Sequence, residues 1–146
     1  MMNARLHVIA RHAEAAQRLL GELEQHAEAA RTALSRDSGA DFFAAVDARD
    51  ELLEELDVVV SQMTSERAEQ AAAGLEQDAA TNRLISEMAR AAARALESHE
   101  QLANDARRER DRLSGVLSRT DSPDAVATQY AVATGAARPR AFSVTG

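Results

Sequence analysis

The chain contains no cysteine, no lysine and no tryptophan, and its aromatic side chains are three phenylalanines and one tyrosine. Without cysteine, a disulfide framework, a cysteine-ligated metal and a thiol nucleophile are all excluded. Only 28 of the 146 residues are leucine, isoleucine, valine or phenylalanine, whereas 33 are alanine. A broad β-sandwich or a large α/β core needs more bulky side chains, so the composition favours a thin, closely packed helical fold.

Long hydrophobic runs and helix-breaking residues are also scarce. The longest apolar run near the amino terminus, residues 6–10, is interrupted by a histidine and is far too short for a secretion signal or a membrane span. No proline precedes Pro123, and alanine, arginine, glutamate and leucine dominate the sequence before it, which indicates long helices. We expect a cytoplasmic protein.

Apolar residues spaced three and four apart predict an all-α fold. We expect an elongated antiparallel three-helix bundle, coiled-coil-like, with a short fourth helix and a flexible carboxyl-terminal tail. The predicted helices span residues 2–36, 41–75, 82–119 and 123–134, in one domain of residues 1–134, and the tail covers residues 135–146. The first helix has the most regular seam: Leu6, Ile9, Ala13, Ala16, Leu20, Leu23, Ala27, Ala30 and Leu34.

The second and third helices have less regular seams. Asp41 is suited to cap the start of the second helix. The turn into the third helix has two candidates, Gly74 and the pair Thr81–Asn82, which the sequence does not separate. The predicted seam of the second helix is Phe43, Val46, Leu52, Leu53, Leu56, Val59, Val60 and Met63. That of the third helix is Ile85, Met88, Ala92, Ala95, His99, Leu102, Ala106, Leu113 and Val116.

Charge is distributed unevenly along these segments. Residues 1–36 carry a net charge of +1, residues 37–80 carry −10, residues 81–119 carry +2, and residues 120–146 are neutral, which together give −7. An acidic second helix beside two mildly basic ones predicts an arrangement in which it neighbours both.

No pattern in the chain indicates catalysis, so we expect no enzyme, no catalytic residue, no cofactor and no metal site. None of the four histidines follows a glutamate at a spacing of three, which di-metal helical bundles require. Glycine-rich phosphate loops, nucleophile elbows and zinc-type spacings are absent from the sequence. Residues 107–112 hold four arginines against two acids without an aromatic neighbour, which indicates a solvated face and no nucleic-acid binding. Membrane insertion is not expected either.

Two stretches resemble the flagellar type III export chaperones of the FlgN and FliT type. In residues 43–56, Arg49 is followed by x-x-Leu-Leu-x-x-Leu after a hairpin turn. In the second stretch, a heptad-patterned third helix leads to Gln129-Tyr130 and a glycine-containing tail.

This resemblance implies a cytoplasmic chaperone without ATPase activity. Such chaperones bind carboxyl-terminal amphipathic helices of hook–filament junction or filament-cap subunits, prevent premature assembly and deliver the subunits to the type III export apparatus. In the family, binding is concentrated on the carboxyl-terminal helical half, which the short last helix can cover. The implied partner-binding residues here are Leu102, Ala106, Leu113, Val116, Leu117, Val126 and Tyr130.

The alternative is a self-associating coiled-coil adaptor without a secreted client. In that case the exposed seam is buried in a homodimer. A weak homodimer is compatible with the chaperone as well, so the sequence leaves the oligomeric state open.

Overall fold

A computed structural model of the chain describes residues 2–119. They form three α-helices, α1 (Met2–Ser35), α2 (Gly39–Ala72) and α3 (Ala79–Arg119), and contain no β-strand. The all-α prediction is therefore confirmed for this part of the chain. The predicted fourth helix, residues 123–134, and the predicted tail, residues 135–146, lie outside the described residues. The described chain divides after Ala103 into two units, residues 2–103 and residues 104–119.

The turn between α1 and α2 is tight, and the residue before α2 is not the one predicted to cap this helix. Asp37 adopts a left-handed conformation with φ of 58°, and Ser38 donates its backbone N–H to the carbonyl of Ala33 at 2.9 Å. Because Phe42 already donates to the carbonyl of Ser38, α2 begins at Gly39, and Asp41 lies in its first turn. Asp41 was therefore wrongly predicted as the N-cap, although its charge still favours the positive end of the helix dipole.

The turn between α2 and α3 lies at Gly74, the first of the two predicted candidates. Gly74 has a φ of +72°, and Leu75 donates its N–H to the carbonyl of Gln70 at 2.9 Å, which closes the end of α2. Asp78 caps α3, since its Oδ1 accepts the backbone N–H of Thr81 at 2.7 Å. The helix thus begins before Thr81, which excludes the second candidate.

The three helices of the first unit pack side by side in alternating directions. Three apolar clusters contain residues from all three helices. The first joins Ile9, Ala13 and Met63 with Leu84, Ile85 and Met88; the second joins Leu20, Leu23 and Ala91 with Leu52, Leu56, Met88 and Ala95; the third joins Ala27, Ala30, Ala45 and Leu102 with Leu34 and Phe42. From the first cluster to the third, residue numbers rise along α1 and α3 and fall along α2. Helix α2 is therefore antiparallel to α1, and α3 is parallel to α1.

Helix α1 supplies most of the buried residues of this unit. Its predicted seam is confirmed from Ile9 to Ala30, and Leu19 and Ala33 are buried in addition. Leu34 is half-buried, and the side chain of Leu6 lies outside the described set. Alanines on the facing sides of α1 and α2 allow their backbones to approach closely, whereas α3 contacts them through longer side chains. Such packing suits a chain with so few bulky residues.

The buried sides of α2 and α3 differ from their predicted seams. On α2, Phe43, Leu53 and Val60 are exposed, and Ala45, Arg49 and Gln70 are buried. On α3, Ala92 and His99 are exposed, whereas Thr81 and Ala91 are buried. Both helices carry apolar arcs wider than one seam, so the packing against α1 selects which line of residues is buried.

Candidate partner-binding surfaces

The predicted partner-binding residues occupy different environments. Leu102 is only 5% exposed and packs with Ala27, Ala30 and Ala45, so it belongs to the core of the first unit. Val126 and Tyr130 lie outside the described residues. Leu102 is therefore accessible to a partner only if α3 moves away from α1 and α2.

The remaining four predicted residues lie in the second unit, where residues 104–119 form the end of α3. Leu113 and Leu117 are 43% and 66% exposed, and Val116 and Ala106 are half-buried. Helix periodicity places Leu113, Val116 and Leu117 on one side, with Ala106 one heptad earlier. These side chains form an apolar strip, which we call the α3 terminal strip.

The arginines of this segment are held by local partners. Arg112 makes a bidentate ion pair with Glu109, at 2.6 Å from Nη2 to Oε1, and this contact lowers the pKa of Glu109. Arg108 pairs with Asp105, Arg110 pairs with Asp111, and Arg107 donates to the side chain of Asn104. The solvated charged face expected for residues 107–112 is therefore present.

A second apolar strip lies on α2, within the seam that the sequence predicted for this helix. Val46, Leu53 and Val60 are seven residues apart and share one side of the helix; we call them the α2 outer stripe. Leu53 and Val60 are 44% and 37% exposed, Val46 is half-buried, and none of the three packs in the apolar clusters. Phe43, near the start of the stripe, is 54% exposed.

Four exposed carboxylates follow the stripe on its side away from the core. Asp47, Asp50, Glu54 and Asp57, which we call the acidic row, are spaced three, four and three residues apart. Within residues 2–119, none of them makes a salt bridge or a side-chain hydrogen bond. Apart from the interaction of Asp50 with the buried Arg49, the row therefore leaves a negative field beside the apolar stripe that no ion pair within residues 2–119 neutralises.

Between the stripe and the core lies a buried arginine. Arg49 is 7% exposed, its Nη2 donates to Nδ1 of His99 at 3.1 Å, and its buried Nε has no partner in the described part of the chain. Burial lowers the pKa of Arg49, and the neighbouring Asp50 raises it. Because a guanidinium can only donate, His99 must accept with an unprotonated nitrogen. The sequence contains one indication of this burial. Arg49 lies one heptad before Leu56, so the two residues share one side of α2.

Polar side chains hold the opposite end of the first unit together. Gln70, 1% exposed, donates from Nε2 to the carbonyl of Arg5 at 2.7 Å and to Glu66 at 3.2 Å, while its buried Oε1 has no partner in the described residues. Gln70 also borders an open cleft of about 640 Å³ between the end of α2 and the start of α3. These contacts fix the relative positions of α1 and α2.

The described residues were compared with the requirements of a metal cluster and of a membrane-spanning helix. No three histidine, aspartate or glutamate side chains among them lie close enough together to hold a metal ion. None of the helices within residues 2–119 is both long and apolar enough to cross a membrane. Exposed apolar strips such as those on α2 and α3 are typical of interaction sites.

Comparison of the chain with protein-family models, with curated proteins and with solved structures gives no match. The resemblance to flagellar export chaperones consequently depends on residues 43–56 and on the pattern of the third helix.

Proposed function

We propose that this protein is a cytoplasmic flagellar export chaperone. It binds carboxyl-terminal amphipathic helices of hook–filament junction or filament-cap subunits, prevents their premature assembly and delivers them to the type III export apparatus. One observation carries the proposal: in a chain poor in bulky residues, Leu113 and Leu117 of the α3 terminal strip are left 43% and 66% exposed.

An amphipathic helix is the partner that such a strip fits best. Leu113, Val116 and Leu117 form an apolar line one helical turn long. A client helix would pack its own apolar residues against this line. Covering the exposed halves of the two leucines contributes about 2 kcal/mol, a useful fraction of a micromolar affinity of about 8 kcal/mol. The locally paired arginines at the rim add solubility and orientation rather than affinity.

The predicted site residues divide into two roles in this proposal. The α3 terminal strip contacts the client, and Leu102 holds α3 against Ala27 and Ala45 in the first unit. Val126 and Tyr130 keep the role that the resemblance implies, which is to cover the strip when no client is bound. A weak intramolecular cover is displaced by a client with a larger apolar face.

An affinity pull-down of the tagged full chain from lysate of its own cells, analysed by mass spectrometry, tests this function. The proposal predicts recovery of secreted flagellar subunits in near one-to-one amounts. Recovery of the chain alone, with a dimer mass by light scattering, would contradict the proposal and favour the self-associating coiled-coil adaptor.

A further inference from the structure

We infer that α2 carries a second docking surface, which binds a basic amphipathic α-helix from another protein. The surface consists of the α2 outer stripe, Val46, Leu53 and Val60, and of the acidic row beside it. It lies on a different helix from the α3 terminal strip and goes beyond the proposed chaperone function.

The stripe has the length and chemistry of one helix-binding strip. From Val46 to Val60 it extends about 21 Å at about 1.5 Å per residue, so a partner helix of about 18 residues covers it completely. Its side chains repeat every seven residues, which is the spacing that a packed partner helix needs. Leu53 and Val60 stay more than a third exposed although α1 and α3 pack on the neighbouring side of α2.

The acidic row determines the charge of the occupant. Four carboxylates without ion-pair partners in residues 2–119 run along one edge of the stripe, in a segment whose net charge over residues 37–80 is −10. A partner with lysine or arginine flanking its apolar line neutralises this row, which favours both encounter and register. A helix with acidic flanks meets like charges instead.

The same charges repel two other occupants, and local ion pairs make a third a poor match. A second copy of α2 would bring two strongly acidic segments together, and an anionic membrane surface would be repelled in the same way. In a second copy, three of the four arginines of residues 107–112 are already paired with Asp105, Asp111 and Glu109, so this segment offers less positive charge than its sequence suggests.

Designed peptides test the inference on the full chain. Three fluorescein-labelled peptides of about 18 residues are compared by fluorescence anisotropy: a leucine-striped helix with lysine flanks, the same stripe with glutamate flanks, and a shuffled basic peptide. We expect binding of the basic helix only, with an affinity that falls as the salt concentration rises from about 0.05 to about 0.5 M.

Matched variants locate the binding site. Asp50→Asn with Asp57→Asn should weaken binding about threefold to tenfold, and Leu53→Ser about fivefold. The control Glu97→Gln with Glu100→Gln changes the net charge by the same amount as the double aspartate variant. The control Leu96→Ser removes a leucine of α3 that is 58% exposed, as a match for Leu53→Ser. Both controls should bind the basic helix as the wild type does, and circular dichroism confirms that all variants stay helical.

Three results would overturn the inference: no binding of the basic helix, equal binding of the acidic helix, or equal weakening by the α2 variants and their controls. The outcome is separable from the chaperone function. A Leu113→Glu, Leu117→Glu variant should keep its affinity for the basic peptide.

Discussion

Replacing Arg49 with methionine should stabilise the fold. The guanidinium is buried between α2 and α3 with one hydrogen bond, from Nη2 to His99, while its Nε lies buried without a partner in the described chain. Methionine follows the same path as the arginine stem, fills irregular space well and buries no polar nitrogen. The substitution therefore removes a desolvation cost and keeps most of the packing.

The magnitude follows from two opposing contributions. An unpartnered buried donor costs about 1–3 kcal/mol, and replacing buried charged groups by apolar side chains of similar volume often stabilises by about 1–4 kcal/mol. Against this stands the lost bond to His99, whose exposed ring regains a water molecule in exchange. We expect a net gain of about 1 kcal/mol in the free energy of unfolding. Arg49→Ala, which lacks the γ-methylene, the sulfur and the terminal methyl of the methionine variant, should lie about 2 kcal/mol below Arg49→Met.

Urea unfolding at pH 7, followed by circular dichroism at 222 nm, measures these differences. His99→Ala provides the control, because it should destabilise the wild type by depriving Arg49 of its acceptor and should have no effect in the Arg49→Met background. If Arg49→Met lowers the free energy of unfolding by more than about 1 kcal/mol, the guanidinium contributes net stability and the reasoning is refuted.

Three further substitutions test the helices and their turns. Gly21→Ala, in the interior of α1 where an added Cβ meets nothing within 4 Å, should raise the free energy of unfolding by about 0.5–1 kcal/mol in the same urea assay. Gly74→Ala should lower it by about 1 kcal/mol, because φ at this residue is +72°; no change would contradict the left-handed turn. Asp78→Ala should lower the thermal midpoint, since Asp78 caps α3. Hydrogen bonds from the Thr81 side chain and backbone lower the pKa of Asp78, and His7 adds to this. Its contribution is thus complete above the ordinary aspartate pKa of about 4 and is lost as the pH falls through the lowered value, so the variant and the wild type should converge in acid.

The helices of residues 2–119 were largely predictable from sequence, and α1 was predictable in detail. Its apolar residues recur at spacings of three and four without a break, so a single register satisfies the pattern from Ile9 to Ala30. The predicted bounds of all three helices agree with the structure to within three residues, because turn residues such as Asp37 and Gly74 interrupt strong helix formers.

The buried faces of α2 and α3 were not predictable in the same way. On α2, the line through Ala45, Leu52 and Val59 and the line through Val46, Leu53 and Val60 are both apolar at heptad spacing, so contact with α1 selects between them. On α3, Ala91 and Ala92 are chemically identical neighbours, and only tertiary packing buries the first. The α2 outer stripe is the line that the packing left exposed.

The most direct test of the central claim compares the wild type with the Leu113→Glu, Leu117→Glu variant in the same pull-down, together with their circular dichroism spectra. Helix-binding by the α3 terminal strip predicts that the wild type captures secreted flagellar subunits, whereas the variant captures none and keeps its helicity. Capture of those subunits in equal amounts by both proteins would contradict the assignment of the strip as the client-binding surface. Unfolding of the variant would show instead that the two leucines belong to the core.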